Sequence, residues 1–166
     1  MAALRPRPDG DVVTHATKVA LQTLGRRVLA LDAELDHLQV LLEGLVTATA
    51  PQLLDLHGVG PDTAATLLVA AGDNAGRIRT EAAWANLCGV APLPASSGRT
   101  TRHRLNRGGN RQANHALWRI VITRMSSDPR TRTYVTRRLD EGLTKAEIIR
   151  VLKRYVARET WRHLPR

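Results

Sequence analysis

The segment from residue 89 to residue 110 contains the residues best suited to chemistry. Its sequence, GVAPLPASSGRTTRHRLNRGGN, has two adjacent serines, four arginines, one histidine and no acidic residue. A serine hydroxyl becomes a nucleophile when a base removes its proton. Phosphoryl transfer also needs positive charge around the phosphate oxygens, which the planar guanidinium of arginine binds in pairs. The residue types therefore fit attack on a phosphodiester, although Ser-Ser-Gly alone is more typical of a polar loop.

Four arginines supply the positive charge of this segment: Arg99, Arg102, Arg104 and Arg107. His103 is the nearest candidate for a general base, six residues after Ser97. A histidine in such a basic segment more often contacts phosphate or solvent. The general base therefore stays open at this point.

The positive charge of the chain is concentrated in this region. The 166 residues carry a formal net charge of +10. Eleven arginines and one acid lie between Ser97 and Arg138, whereas the rest of the chain has 14 basic and 14 acidic residues. A solvated surface normally mixes both signs, so this segment predicts contact with a polyanion, most often nucleic acid.

The remaining composition excludes several classes of protein. The single cysteine, Cys88, forms no internal disulfide and no cysteine-based metal site, and it indicates a reducing compartment. The N-terminus has no apolar signal-peptide region, and no apolar run approaches the length of a membrane span. We expect a cytoplasmic protein with no membrane partner and no metal bound by this chain.

The segment from residue 89 to residue 110 is called the serine segment. The elements that must position it are predicted to be helical. Apolar residues are 43% of the chain, phenylalanine is absent, and leucine, alanine and valine dominate, which favours helices packed through small aliphatic side chains. Residues 1–11 are predicted to be a disordered leader. Residues 12–46 follow as one long helix, and residues 50–166 form the main domain.

The long helix carries an apolar stripe with alternating spacings of four and three residues. We expect this helix to pair with another helix, in the chain or in a second copy, in the manner of a coiled-coil arm. An ordinary core helix is the alternative interpretation. The stripe consists of Leu24, Val28, Leu31, Leu35, Leu38, Leu42 and Leu45.

A Gly-Val-Gly-Pro turn follows in the segment PQLLDLHGVGPDTAATLLVAAGD. Gly58, Val59 and Gly60 predict the turn of a helix-hairpin-helix, in which the glycines allow close approach and the next helix N-terminus binds a phosphate oxygen. Val59 would fill the space between the two helices. A helical hairpin that serves only the core is the alternative. Further helices are predicted after Thr80, from about Arg111, from near Pro129 and after Thr144.

The ordered set of motifs resembles the C-terminal domain of the IS-one-ten/one-sixteen group of bacterial insertion-sequence transposases. The resemblance covers nearly the whole chain from about Val12 onward. Each motif is weak alone, but their order is specific. The motifs are Gly58-Val59-Gly60-Pro61, Gly72-Asp73, Gly89-Val90-Ala91-Pro92, Ser97-Gly98 and Arg107-Gly108-Gly109-Asn110-Arg111.

The resemblance implies a function and assigns residues to it. Family members combine a RuvC-like domain, which holds Mg²⁺ through an acidic tetrad, with a C-terminal domain that bears a nucleophilic serine. That serine forms a covalent 5′-phosphoserine with DNA, a structured RNA chooses the sites, and the enzymes are multimers held partly by long helices. The serine falls on Ser97, with Ser96 as its neighbouring alternative and Gly98 as the motif glycine. Arg107, Asn110 and Arg111 match the basic element that follows.

The sequence departs from the family because it has no room for the RuvC-like domain. We therefore expect a truncated copy, a fragment or one half of a split protein, with Mg²⁺ supplied only by the absent domain and little activity of the chain alone. Two alternatives are a non-catalytic nucleic-acid-binding module and a dimerising regulator that joins a full-length transposase through the long helix. Expected partners are DNA, a guide RNA and a second copy of the chain.

Overall fold

The computed structural model describes residues 11–72, 76, 78–94, 103–104, 106 and 108–165. The described chain is mainly helical, as predicted, and divides into two compact units, Met1–Leu41 and Leu42–Arg166. Six α-helices and two short strands are present in these residues. In chain order they are α1 (Val12–Thr49), α2 (Pro61–Ala71), α3 (Glu81–Leu87), β1 (Leu93–Pro94), β2 (His103–Arg104), α4 (Arg111–Ser127), α5 (Pro129–Asp140) and α6 (Lys145–Trp161).

Helix α1 is the predicted long helix and ends three residues later than expected. Val46 is its only buried residue. The apolar stripe is exposed at six of its seven positions, with Leu35 at 62% and Leu45 at 67% of full exposure, and Leu42 is partly buried. The stripe therefore has no covering partner within the described chain. No helix of the described residues combines the length and apolarity that a bilayer span requires.

The core of the second unit surrounds α4. This helix packs against α2, α5 and α6, and α3 packs against α6. Trp84 of α3 is fully buried, and its Nε1 donates a hydrogen bond of 3.2 Å to Thr160 Oγ1 of α6. The bond satisfies a buried indole donor that would otherwise be costly. The largest fully buried aliphatic side chains are Leu53, Leu67, Leu117, Ile120 and Ile148.

The Gly-Val-Gly turn forms, but the first helix of the predicted hairpin does not form as an α-helix. A 3-10 helix of three residues, Pro51–Leu53, takes its place, so the helix-hairpin-helix is not confirmed. Val59 is buried in the core, as expected. Gly58 has a φ of +78° and lies so close to α4 that an added Cβ would be 3.3 Å from the Ile120 carbonyl oxygen. The turn is thus a packing element against α4.

The helix starts could be predicted from the sequence because capping side chains mark them. Thr80, Asn110 and Asp128 accept hydrogen bonds from backbone N–H groups in the first turns of α3, α4 and α5. Thr144 and Glu147 form a reciprocal capping box at the start of α6. Each cap satisfies N–H groups that have no partner inside the helix. These local bonds fix where α4 and α6 begin relative to the serine segment.

Cys88 gives a test of the core through its ionisation. It is fully buried, and burial raises the pKa of its thiol from 9.0 to about 12. Above the unfolded-state pKa the unfolded chain loses the proton while the folded chain keeps it, so stability falls as pH rises. From about pH 8 to about pH 10, the free energy of unfolding of the wild type should fall by about 1.4 kcal/mol more than that of Cys88→Ala. Urea unfolding at both pH values measures this difference. Parallel losses in both proteins would contradict the burial of this thiol.

Candidate functional site

Strands β1 and β2 lie within the serine segment, before and after Ser96 and Ser97 in sequence. They pair antiparallel, with Leu93 opposite Arg104 and Pro94 opposite His103. Residues 95–102 connect the strands in sequence and lie outside the described part. They include Ser96, Ser97, Gly98, Arg99 and Arg102. The described strands are the parts of the fold that adjoin these residues in sequence. They make this region the candidate site.

Two glycines join the segments on either side of the strands. Gly89, with a φ of +65°, and Gly109, with a φ of +96°, lie in direct backbone contact. A Cβ added to Gly109 would be 2.6 Å from the Leu87 carbonyl oxygen and 2.7 Å from the Gly89 nitrogen. Asn110 N donates to the same Leu87 oxygen at 2.6 Å. We name this contact the glycine junction; it needs residues without side chains, because both φ and space exclude a Cβ.

A polar chain ties the glycine junction to α6. Asn114 of α4 donates through Nδ2 to the carbonyl oxygens of Cys88, at 2.8 Å, and Gly89, at 3.3 Å. Its Oδ1 accepts a 2.9 Å hydrogen bond from Lys153 Nζ of α6. Burial, with a smaller effect of the Arg150 charge, lowers the pKa of Lys153. One amide side chain of α4 therefore connects the chain just after α3 with α6.

A cleft of about 520 Å³ lies between this junction and α6. We name it the α6 cleft. Four basic side chains and one carboxylate are among its lining residues. The backbone from Gly89 to Pro92 forms the opposite wall. The charged lining residues are Arg104, Glu147, Arg150, Lys153 and Arg154.

The structure places the described candidate residues in different environments. Arg104 is exposed and lines the α6 cleft. Asn110 caps α4, and Arg111 is exposed in the first turn of that helix. His103 pairs through its backbone with Pro94, and its side chain lies outside the described part. Arg107 also lies outside it.

The Gly-Val-Gly turn lies apart from strands β1 and β2. Gly58 contacts α4 at Ile120, Thr123 and Arg124, in the second half of this helix. Strand β2 instead precedes the start of α4 at Arg111. Ten residues of helix correspond to about 15 Å. The structure therefore does not bring Gly58, Val59 and Gly60 to the same point as the α6 cleft.

Two arginines of the segment from Ser97 to Arg138 form ion pairs with acids of α2 and α6. Arg124 is mostly buried, donates to the His57 carbonyl oxygen at 2.7 Å and pairs with Glu159 at 2.7 Å. Arg119 pairs with Asp62, next to the N-terminus of α2. The count of arginines in the sequence therefore overstates the charge that is available to a ligand.

Three basic residues of the α6 cleft, Arg150, Lys153 and Arg154, were not predicted from the sequence. Arg150 and Lys153 belong to α6, outside the segment with the charge excess. Their spacing of three places them on one face of a helix, together with Arg154. That spacing was a usable signal, because α6 has five basic and two acidic residues; the charge count missed it, since the chain outside Ser97–Arg138 balances only as a whole.

Comparison with known proteins places the chain in a family. The family model described as "Transposase IS116/IS110/IS902 family" matches residues 50–136, more than half of the chain and all of the segment between β1 and β2. The chain belongs to this transposase family.

Two curated relatives are similar over most of the chain. It is 35% identical over 146 residues to the "Insertion element IS110 uncharacterized 43.6 kDa protein" of Streptomyces coelicolor, covering 87% of this chain and 34% of that protein. It is 28% identical over 149 residues to the "Insertion element IS900 uncharacterized 42 kDa protein" of Mycobacterium paratuberculosis, covering 88% and 37%. The chain thus spans about a third of the length of these relatives.

The glycine junction predicts a large cost for a small substitution. Gly109→Ala should lower the free energy of unfolding by at least about 3 kcal/mol, because a backbone clash is added to the strain of a positive φ. Gly142→Ala is the matched control, since Gly142 has a φ of +87° and open space around it; it should cost about 1–2 kcal/mol. Urea unfolding of both variants measures the difference, and equal losses would contradict the junction.

Proposed function

We propose that this chain contributes a nucleophilic serine, Ser97, to DNA strand cleavage and transfer by a transposase. The observation that supports this most is the position of the two strands on either side of the segment 95–102. The strands that bracket it lie beside a cleft lined by four basic side chains. A hydroxyl nucleophile presented next to guanidinium and ammonium groups is suited to a phosphodiester substrate.

The proposed step exchanges one phosphate ester for another. Ser97 Oγ attacks the phosphorus, the bond from Oγ to phosphorus forms, and the bond from phosphorus to the 3′ oxygen breaks. The serine loses its proton, the departing 3′ oxygen gains one, and the 5′ phosphate remains on the serine. Basic side chains lower the barrier by holding the charged non-bridging oxygens. Strand transfer reverses the step with a different 3′ hydroxyl.

Metal ions and a guide RNA belong to other components in this proposal. Among the described residues, no three His, Cys, Asp or Glu side chains are close enough together to hold a metal ion. We therefore assign no step of this chain to Mg²⁺, and propose that an acidic RuvC-like domain on another part of the enzyme supplies it. A structured RNA would select the DNA sites.

A covalent-trapping assay tests the role of Ser97. The chain is mixed with DNA carrying the ends of its element, Mg²⁺, cognate RNA and a RuvC-like domain. An adduct that survives denaturation should form with the wild type and disappear completely with Ser97→Ala. Denaturing electrophoresis of labelled DNA reads the adduct, and mass spectrometry of the linked peptide identifies the residue.

Ser96→Ala is the matched control, because it removes the neighbouring hydroxyl and leaves Ser97. An adduct that persists in Ser97→Ala but not in Ser96→Ala would move the nucleophile to Ser96. Absence of any adduct with all components present would reject the catalytic proposal and favour a non-catalytic nucleic-acid-binding module.

We also propose that α1 mediates self-association, which is the basis for a regulatory role. The supporting observation is the exposed stripe, whose alternating spacings of four and three residues are those of a coiled-coil seam. A shorter chain that keeps this helix could join a longer transposase and block it.

Charge on the stripe should abolish this association. Leu31→Glu combined with Leu38→Glu should give a monomer by light scattering, because carboxylates would be buried at the seam. The control is Leu29→Glu combined with Val40→Glu, which changes two exposed apolar residues of α1 outside the stripe. The control should keep the oligomer of the wild type. A monomeric wild type, or equal effects of both pairs, would contradict the proposal.

A further inference from the structure

The α6 cleft contains cations that the described residues do not neutralise. Arg154 pairs with Glu81, and Glu147 accepts hydrogen bonds from Thr144 at the start of α6. Within the described chain, neither Lys153 nor Arg104 forms an ion pair with a carboxylate. The cleft therefore has positive charge in excess of its anionic partners.

Lys153 is held in place although no carboxylate among the described residues pairs with its charge. It is partly buried, and its hydrogen-bond partner is the neutral amide oxygen of Asn114. Asn114 is fixed in turn by the carbonyl oxygens of Cys88 and Gly89. A partly buried cation beside other cations is unfavourable unless an anion approaches it. The ammonium group is thus preorganised for an anionic ligand, with no large rearrangement needed.

We propose that the α6 cleft binds a backbone phosphate of a nucleic acid, with Lys153 and Arg104 as its ligands and Arg150 beside them. Lys153 is then a positioning residue that holds the strand in the α6 cleft, beside Arg104 of β2. The proposal deepens the proposed function and rests on it only for the identity of the strand. An open cleft of this size admits a phosphodiester in a continuing chain, and the net charge of +10 favours a polyanion over a small anion.

An acetylation footprint reads this contact directly, because the chain has only three lysines: Lys18, Lys145 and Lys153. The full chain is treated with an acetylating reagent, with and without a short mixed-sequence DNA oligonucleotide, and each lysine is quantified by mass spectrometry. The oligonucleotide should protect Lys153 severalfold and leave exposed Lys145 unchanged. Inorganic phosphate at the same phosphate concentration should protect Lys153 much less. Equal acetylation of Lys153 with and without DNA, or equal protection by phosphate alone, would overturn the proposal.

Matched variants give an independent measurement. Lys153→Met should reduce the slope of log affinity against log salt by about 1 in fluorescence anisotropy with the same oligonucleotide. Lys145→Met removes the same charge from the same helix outside the cleft and should keep the slope. Lys153→Arg keeps the charge and should retain binding. A thermal midpoint of Lys153→Met that matches the wild type excludes misfolding as the cause of its weaker binding. Equal slopes for Lys153→Met and Lys145→Met would reject the contact.

The two proposals fail separately. Ser97→Ala should bind the oligonucleotide as the wild type does, because a phosphate contact does not need the nucleophile. Protection of Lys153 without any covalent adduct would support the cleft and reject the serine. An adduct at Ser97 with an unprotected Lys153 would support the serine and reject the cleft.

Discussion

The geometry of the candidate site depends on the backbone contact between Gly89 and Gly109. The chain leaves α3 at the first glycine and returns to α4 just after the second, so both ends of the serine segment are set within one short contact. A hydrogen bond from Asn110 N to the Leu87 carbonyl oxygen closes the same region. Side chains could not make this contact, because carbonyl oxygens already occupy the positions that Cβ atoms would take. The strands, the cap of α4 and the wall of the α6 cleft all follow from it.

Much of the fold could be predicted because its signals are local. The caps at Thr80 and Thr144, the turn at Gly58 and the stripe of α1 each depend on residues a few positions apart. The cleft depends on residues far apart in sequence, and no local pattern pairs Lys153 with Asn114 or Arg104 with α6. The helix-hairpin-helix is not confirmed, because the segment before the turn forms a 3-10 helix of three residues, Pro51–Leu53.

Charge counted along the sequence proved a poor measure of charge available at the surface. The segment with eleven arginines includes Arg124, which joins α4 to α6 and to the His57 turn. Arg119 neutralises Asp62 at the N-terminus of α2. Helix α6 has five basic and two acidic residues; Glu81 of α3 pairs with Arg154, and Glu147 caps the helix start. Which cations remain open to a ligand is decided by the acids that the fold places beside the others.

The exposure of α1 has a consequence for how this helix is ordered. A helix whose apolar side chains meet water is supported mainly by its own hydrogen bonds, which are marginal in isolation. Gly25, inside the helix, weakens it further. If the stripe pairs, the free energy of pairing also becomes the free energy of folding this segment. Helix content in α1 would then obey the law of mass action and rise with protein concentration, whereas the second unit, with its own core, would keep its structure on dilution.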